Sequence, residues 1–173
     1  MDDADLGTLA QHGDDVVVTF TRRLPHPIDR VWRAVTEPEH LAAWFPDTIE
    51  VTEWRPGAPL RFVMPTGDSF DGEVVTVEAP TLLELRWGTD RLRIALARDD
   101  DATVLTLADT FTELGKAARD AAGWHECLDN LTADLDGGPA VEPGATWKAV
   151  HPLYVERFGP EASTIGPPEG HGA

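Results

Sequence analysis

One long amphipathic helix follows a run of short alternating segments, and that order limits the fold more than any other feature. Leu114, Ala117, Ala121, Trp124, Leu128, Leu131 and Leu135 recur every three or four residues. That spacing makes a single apolar stripe along an α-helix. Gly123-Trp124-His125-Glu126-Cys127-Leu128-Asp129-Asn130-Leu131 lies near its middle, with one broad aromatic on the buried face. Such a stripe must be buried against another element, and the sequence ahead of it offers strands.

Residues 16–24 read as the first strand, with Val16, Val18 and Phe20 on one face and Val17, Thr19 and Thr21 on the other. Pro25 and Pro27 stop it. Ile28, Val31, Trp32 and Val35 have helical spacing, so a short helix is expected over 27–35. Thr36 is placed to cap a second, over 38–44, which Pro46 closes. Six further strands are expected at 48–54, 59–64, 69–78, 81–87, 91–98 and 102–111, separated by Pro-, Gly- and Asp-rich turns. Alternation is cleanest in the last three: Leu83, Leu85 and Trp87, then Leu92, Ile94 and Leu96, then Leu105 and Leu107, each share one face. One-sided alternation indicates an antiparallel sheet with a single core face, and short connections indicate a meander. The order is therefore α+β, with the long helix covering the sheet.

Domain organisation follows from the same punctuation. Residues 1–15 read as a disordered or loosely docked arm, 16–137 as the main domain, and 138–173 as a C-terminal extension. In that extension Trp147, Val150, Tyr154 and Phe158 share one side of a short helix over 146–157. That helix docks on exposed apolar surface, covers a pocket mouth as a lid, or makes a homodimer contact. The Pro- and Gly-rich end, 159–173, reads as disordered.

Charge narrows the partners. Fourteen basic against 31 acidic residues leave a net charge of −17, which repels phosphate backbones and anionic membrane surfaces. Nucleic acid and membrane are thus not expected partners. Cys127 is the single cysteine, so no intramolecular disulfide forms, as suits a reducing cytosol. The N-terminus lacks the basic-then-apolar order of a signal peptide, and no apolar run approaches the ~20 residues of a membrane span. A cytoplasmic protein is expected, and its Arg-over-Lys, Ala-, Gly- and Pro-rich composition suggests a bacterial source.

Several separated motifs carry a family resemblance. Arg23-Leu24-Pro25-His26-Pro27-Ile28-Asp29-Arg30-Val31-Trp32-Arg33-Ala34-Val35-Thr36 and Leu41-Ala42-Ala43-Trp44-Phe45-Pro46 resemble the opening of the family named for the activator of the heat-shock-protein-90 ATPase, in its C-terminal-domain-like branch. Gly72-Glu73-Val74-Val75, Leu83-Glu84-Leu85-Arg86-Trp87 and the Gly123–Leu131 stretch resemble its central strands and closing helix. The likeness spans about 16–135. It implies the START-like, polyketide-cyclase-like (SRPBCC) superfamily and its helix-grip fold, shared with the birch pollen allergen. That fold is a seven-stranded antiparallel sheet wrapped around a long C-terminal helix, with a cavity between them. Members of the superfamily bind lipids, hormones and polyketides, and some catalyse cyclisation or dehydration. The eukaryotic co-chaperone role depends on a separate N-terminal domain with no counterpart in this sequence, so a chaperone partner is not expected.

The resemblance places Trp124 on a cavity wall, and Phe62, Phe70, Trp87 and Leu107 are the strand residues expected to share it. The facing of Phe62 and Phe70 depends on there being no bulge. Cys127, Leu128 and Leu131 complete the expected ligand pocket from the helix. Each helical residue advances about 100°, so His125 and Cys127 flank the stripe on opposite sides and Glu126 points toward solvent. His125 is the one polar group named for the pocket edge, as a proton donor; the alternative is a flank histidine bonded to a strand. Cys127 reads as a packed, inert thiol, because no base or cation motif adjoins it.

No metal site is expected, since the six histidines are scattered and Asp99-Asp100-Asp101 reads as a solvated hairpin tip. No cofactor or catalytic residue is assigned. The preferred reading is a carrier or sequestering protein for a small hydrophobic molecule. The alternatives are a cyclase or dehydratase acting on an aromatic or polyketide-like ligand, and a stress-related interaction protein.

Overall fold

The computed structural model describes residues 3–167. Eight strands form one sheet: β1 Thr8–His12, β2 Asp15–Leu24, β3 Thr48–Val51, β4 Pro59–Val63, β5 Ser69–Glu78, β6 Leu82–Trp87, β7 Asp90–Asp99 and β8 Ala102–Phe111. Their order is β1-β2-β8-β7-β6-β5-β4-β3, with every neighbouring pair antiparallel. Strands β3 to β8 are the expected meander. Helices α1 (Ile28–Thr36) and α2 (Pro38–Trp44) join β2 to β3, and α3 (Ala117–Leu135) crosses the concave face.

The sheet has eight strands where seven were expected, because residues 8–12 pair with β2 from Thr8 opposite Thr19 to His12 opposite Asp15. Gly13 turns the hairpin at a φ of 65°, a left-handed conformation that glycine adopts without a Cβ clash. Four of the five β1 residues are exposed. With Leu9 alone partly buried, its sequence carries no apolar alternation to mark it as a strand.

A second difference lies at the start of α2. Thr36 does not cap it; its hydroxyl donates back to the Trp32 carbonyl of α1 at 2.7 Å, and Glu37 holds the cap position without a side-chain bond. At the other end of this layer, His26 and His40 each meet a carboxylate in the last turn of α3 or just beyond it, Asp136 and Asp134, at 2.7 Å. Arg30 donates to the Leu135 carbonyl. The cationic side chain complements the carbonyl end of that helix.

Helix α3 is covered on two sides. Its stripe residues Ala117, Ala121, Trp124, Leu128, Leu131 and Leu135 are buried toward the sheet. Its opposite side receives α4 (Ala145–Phe158), which buries Trp147, Val150 and Tyr154. Glu126, expected to point into solvent, instead accepts the backbone N–H groups of Gly144 and Trp147, both at 2.9 Å. An acceptor carboxylate satisfies amide donors that the first turn of a helix leaves unpaired. Asp129 accepts the Thr146 hydroxyl at 3.0 Å, and the Asn130 side chain accepts the Val141 N–H at 2.9 Å. Beyond α4, Pro160–Ser163 form a 3-10 turn; of the tail expected to be disordered, residues 168–173 lie outside the described part.

The exposed face of the sheet carries ion pairs, Arg86 with Glu73 and Arg91 with Glu84. Exposed pairs of this kind contribute little. Gly72 matters more. A Cβ there would stand 2.3 Å from the Arg86 carbonyl oxygen and 2.4 Å from the Phe62 ring. Gly72→Ala is therefore expected to displace that ring or the β5–β6 pairing and to lower stability by about 1–3 kcal/mol. An unchanged urea midpoint would show that the strands yield freely.

Candidate ligand site

Beneath the N-terminal half of α3 the expected strand and helix aromatics meet. In-register pairing of β4 and β5 sets Phe62 opposite Phe70, and their rings stack with centroids 5.2 Å apart. Trp87, at the end of β6, meets Trp124 edge to face at 5.3 Å. Phe45, which follows α2, bridges the two pairs, lying 6.0 Å from Phe62, 6.1 Å from Trp87 and 5.6 Å from Trp124. These offset and edge-on geometries suit the ring quadrupoles. Both indole N–H groups are held: Trp87 donates to Asp47 at 2.8 Å and Trp124 to Asp109 at 3.0 Å.

The space between α3 and the sheet is filled. Phe62, Leu107, Trp124, Leu128 and Leu131 are 0–2 % exposed, and a void wide enough for water would leave its lining atoms accessible. The hollow interior expected from the resemblance is instead occupied by side chains in this structure, because the five aromatic rings converge where open space was expected. The opening lies at the rim. Phe70 and Trp87 are partly exposed and line a surface hollow of about 240 Å³ with Gly88, Thr89, Asp90 and Lys116. A larger hollow of about 420 Å³ runs along the β3–β4 edge between Thr52 and Arg61 and touches none of the expected pocket residues.

Leu107 faces α3 from the middle of β8, paired with Phe20 and Ile94. Cys127 is half-buried, and its thiol is pushed up to about 12, chiefly by burial and then by the nearby carboxylates of Glu126 and Asp47. A thiol held protonated is a poor nucleophile. His125 is not part of the aromatic group. It is buried on the α4 side of α3, against Phe20 and Tyr154. Burial, reinforced by Arg22, lowers its pKa and keeps the ring neutral. The Tyr154 hydroxyl accepts the Gly7 N–H at 2.9 Å and shares a hydrogen bond with His125 Nδ1 at 2.8 Å. The sequence alternatives for His125 were a pocket donor or a strand-bonded flank residue; its partner is Tyr154 of α4.

Three carboxyl groups absent from the sequence reading lie behind the hollow. Asp90 starts β7, Asp109 sits near the end of β8, and Asp120 is in the first turn of α3. One oxygen of each lies within 4.8 Å of the others. Lys116 donates to both Asp90 oxygens at 2.8 and 2.9 Å and stands 3.4 Å from Asp120. Asp109 is fully buried, and its carboxyl is raised to about 8, first by desolvation and then by the Asp90 charge, against the opposing Trp124 hydrogen bond. The signal for it is in the sequence: the alternation that faces Leu105 and Leu107 inward also faces Asp109 inward.

A long helix packed on an antiparallel sheet, with two short helices after the first long strand, defines the helix-grip, START-like class of fold. The chain belongs to the Activator of Hsp90 ATPase homolog 1-like protein family, whose pattern matches residues 25–136. It superposes with a TM-score of 0.75 on EF2215 of Enterococcus faecalis, a conserved protein of unknown function, at 20 % identity over 88 % of this chain and 90 % of that one. CalU16 of Micromonospora echinospora gives 0.69 at 21 % identity, covering 88 % and 98 %. DynU16, a protein in the dynemicin biosynthetic locus, gives 0.64 at 32 % identity, covering 72 % of this chain and 49 % of its own. No curated protein sequence matches. Among the described residues no helix is long and apolar enough to cross a membrane.

Proposed function

We propose that this protein binds a small, largely aromatic hydrophobic molecule at the Phe70–Trp87 rim, above the cluster of Phe45, Phe62 and Trp124. The observation that carries the reading is that partly exposed rings lead directly into a fully buried aromatic stack. Elsewhere the buried sheet residues on the α3 side, among them Leu85, Leu92, Ile94 and Leu105, are mostly aliphatic. Flat rings in edge and stacked contact offer a guest the same contacts that they now make with each other. Binding sites for drug-sized molecules enclose roughly 300–1,000 Å³, and the hollow of about 240 Å³ falls short. A guest is therefore admitted by movement of Phe70 or Trp87, while Leu107, Cys127, Leu128 and Leu131 form the deeper wall. The similarity to proteins of the polyketide-cyclase-like superfamily supports the same class of ligand.

Intrinsic tryptophan fluorescence, followed during titration with naphthalene, anthracene and acyl-chain probes, tests this reading. Saturable quenching by an aromatic probe is expected, with affinity at least ~10-fold weaker in Trp87→Ala. The absence of saturation with every probe would end the proposal.

The cyclase or dehydratase alternative relied on His125, which is committed to Tyr154 away from the aromatic cluster. The interaction-protein alternative rested on the acidic surface and on the helix over 146–157, and of that helix Trp147, Val150 and Tyr154 are already buried within the same chain. Neither is favoured by a specific contact.

A further inference from the structure

We infer that Asp109 is the polar anchor of this ligand site, a hydrogen-donating carboxylic acid that selects aromatic molecules bearing a neutral acceptor oxygen, such as a ketone or quinone. The inference rests on the ligand-binding reading above and names the chemistry of the guest.

The charges around Asp109 are distributed unequally. Lys116 is bound to Asp90 and stands beside Asp120, and Arg119 holds Asp120 at 2.7 Å. Two cations are thus already matched by two carboxylates. An ionised Asp109 would add a third negative charge, in a fully buried place, with no cation left to match it. Such a carboxyl keeps its proton, and desolvation and the Asp90 charge act in that direction here. The Lys116 ammonium, bound to both Asp90 oxygens and 3.4 Å from Asp120, already supplies positive charge to the cluster.

The position of the proton follows from the partners. Asp109 Oδ2 accepts the Trp124 indole N–H at 3.0 Å and acts as the carbonyl oxygen of the acid. Oδ1 then carries the hydrogen, and it is buried with no hydrogen-bond partner among the described residues. A buried donor without an acceptor costs roughly 1–3 kcal/mol and is uncommon. Its acceptor comes from a molecule that reaches it. Asp90, Lys116 and Trp87 line the hollow; an Asp90 oxygen also lies within 4.8 Å of Asp109, and Trp87 packs on Trp124, which bonds to Asp109. Asp109 thus lies one side-chain layer below the hollow's floor. A carboxylate ligand is disfavoured there by Asp90, Asp120 and the chain's net charge of −17.

Three probes of one shape decide the matter: naphthalene, acetylnaphthalene and naphthoate, titrated calorimetrically into the whole protein near neutral pH. Acetylnaphthalene is expected to bind about three- to tenfold more tightly than naphthalene, the range of one net hydrogen bond, and naphthoate most weakly. Asp109→Asn keeps a donor and an acceptor and is expected to retain the preference. Asp109→Leu is expected to abolish it while naphthalene still binds. Equal affinities for naphthalene and acetylnaphthalene in the wild type, or a preference that survives in Asp109→Leu, would overturn the anchor and leave the aromatic site standing. Should Asp109→Leu fail to fold, loss of the preference in Asp109→Asn would equally overturn it. Failure of every probe to bind would remove both.

Discussion

Trp124→Ala is expected to lower stability by about 3–5 kcal/mol, the usual cost of truncating a buried tryptophan. Trp124 is 2 % exposed and touches Phe45 and Trp87 edge to face, so its removal leaves a void that closely packed neighbours fill only partly. It also strips Asp109 of its one side-chain hydrogen bond. Against a total stability of about 5–15 kcal/mol for a typical domain, such a loss brings the chain close to unfolding. Trp124→Phe separates the two contributions, because it keeps a ring and removes the N–H. Its expected cost is smaller, about 1–3 kcal/mol, dominated by the unpaired Asp109 oxygen. Urea midpoints at constant slope measure both. A Trp124→Ala loss under about 1 kcal/mol would mean that the aromatic cluster is loosely held.

The second large effect is a dependence of stability on pH that Asp109→Asn flattens. In the folded chain the Asp109 carboxyl holds its proton up to about 8, whereas in the unfolded chain it ionises near 4. Between those values the folded state binds the additional proton. Raising the pH through this window therefore lowers stability, by up to about 1.4 kcal/mol per pH unit. The contribution is complete below about 4 and declines no further above about 8. The groups facing Asp109 are Asp90 at the start of β7, Lys116 before α3, and Asp120 and Trp124 on α3, with Arg119 held against Asp120. The amide introduced by Asp109→Asn retains the acceptor for Trp124 and has no proton to lose. Asp47, also raised chiefly by burial, contributes in the same direction, so the variant flattens the profile without making it level. Midpoints measured at about pH 5, 7 and 9 should converge between variant and wild type at low pH and separate at high pH, with the variant more stable. Parallel profiles would show that Asp109 is ionised when folded.

These two experiments concern residues that the sequence revealed to very different degrees. Trp124 was identifiable from its place in a stripe of period 3.6. Trp87 was identifiable from period-two alternation, whereas the facing of Phe62 and Phe70 hung on the absence of a bulge, and the in-register pairing of β4 with β5 put them on one face. Phe45 was not singled out, because it follows a short helix and belongs to neither period. For a related reason Glu126 does not point to solvent, and His125, a flank residue outside the aromatic group, bonds to α4 and not to a strand. Their side of α3 is polar in sequence and would be solvated on an isolated helix; α4, arriving from beyond the Gly-rich linker, covers it. Edge strand β1 has no apolar rhythm to reveal it, because Leu9 alone of its five residues is partly buried.

The order and type of the major elements were settled by the chain itself, since hydrophobic period and turn residues act over a few neighbours. Membership of the helix-grip class followed from that order and its motifs. Only the tertiary structure decided that α3 lies directly on the sheet, because whether two surfaces leave a gap depends on the summed volume of side chains from several separated elements. It alone brought Asp90, Asp109 and Asp120 around one lysine. The electrostatics of a buried acid depend on distances in space, and those distances are not encoded in any local stretch of sequence.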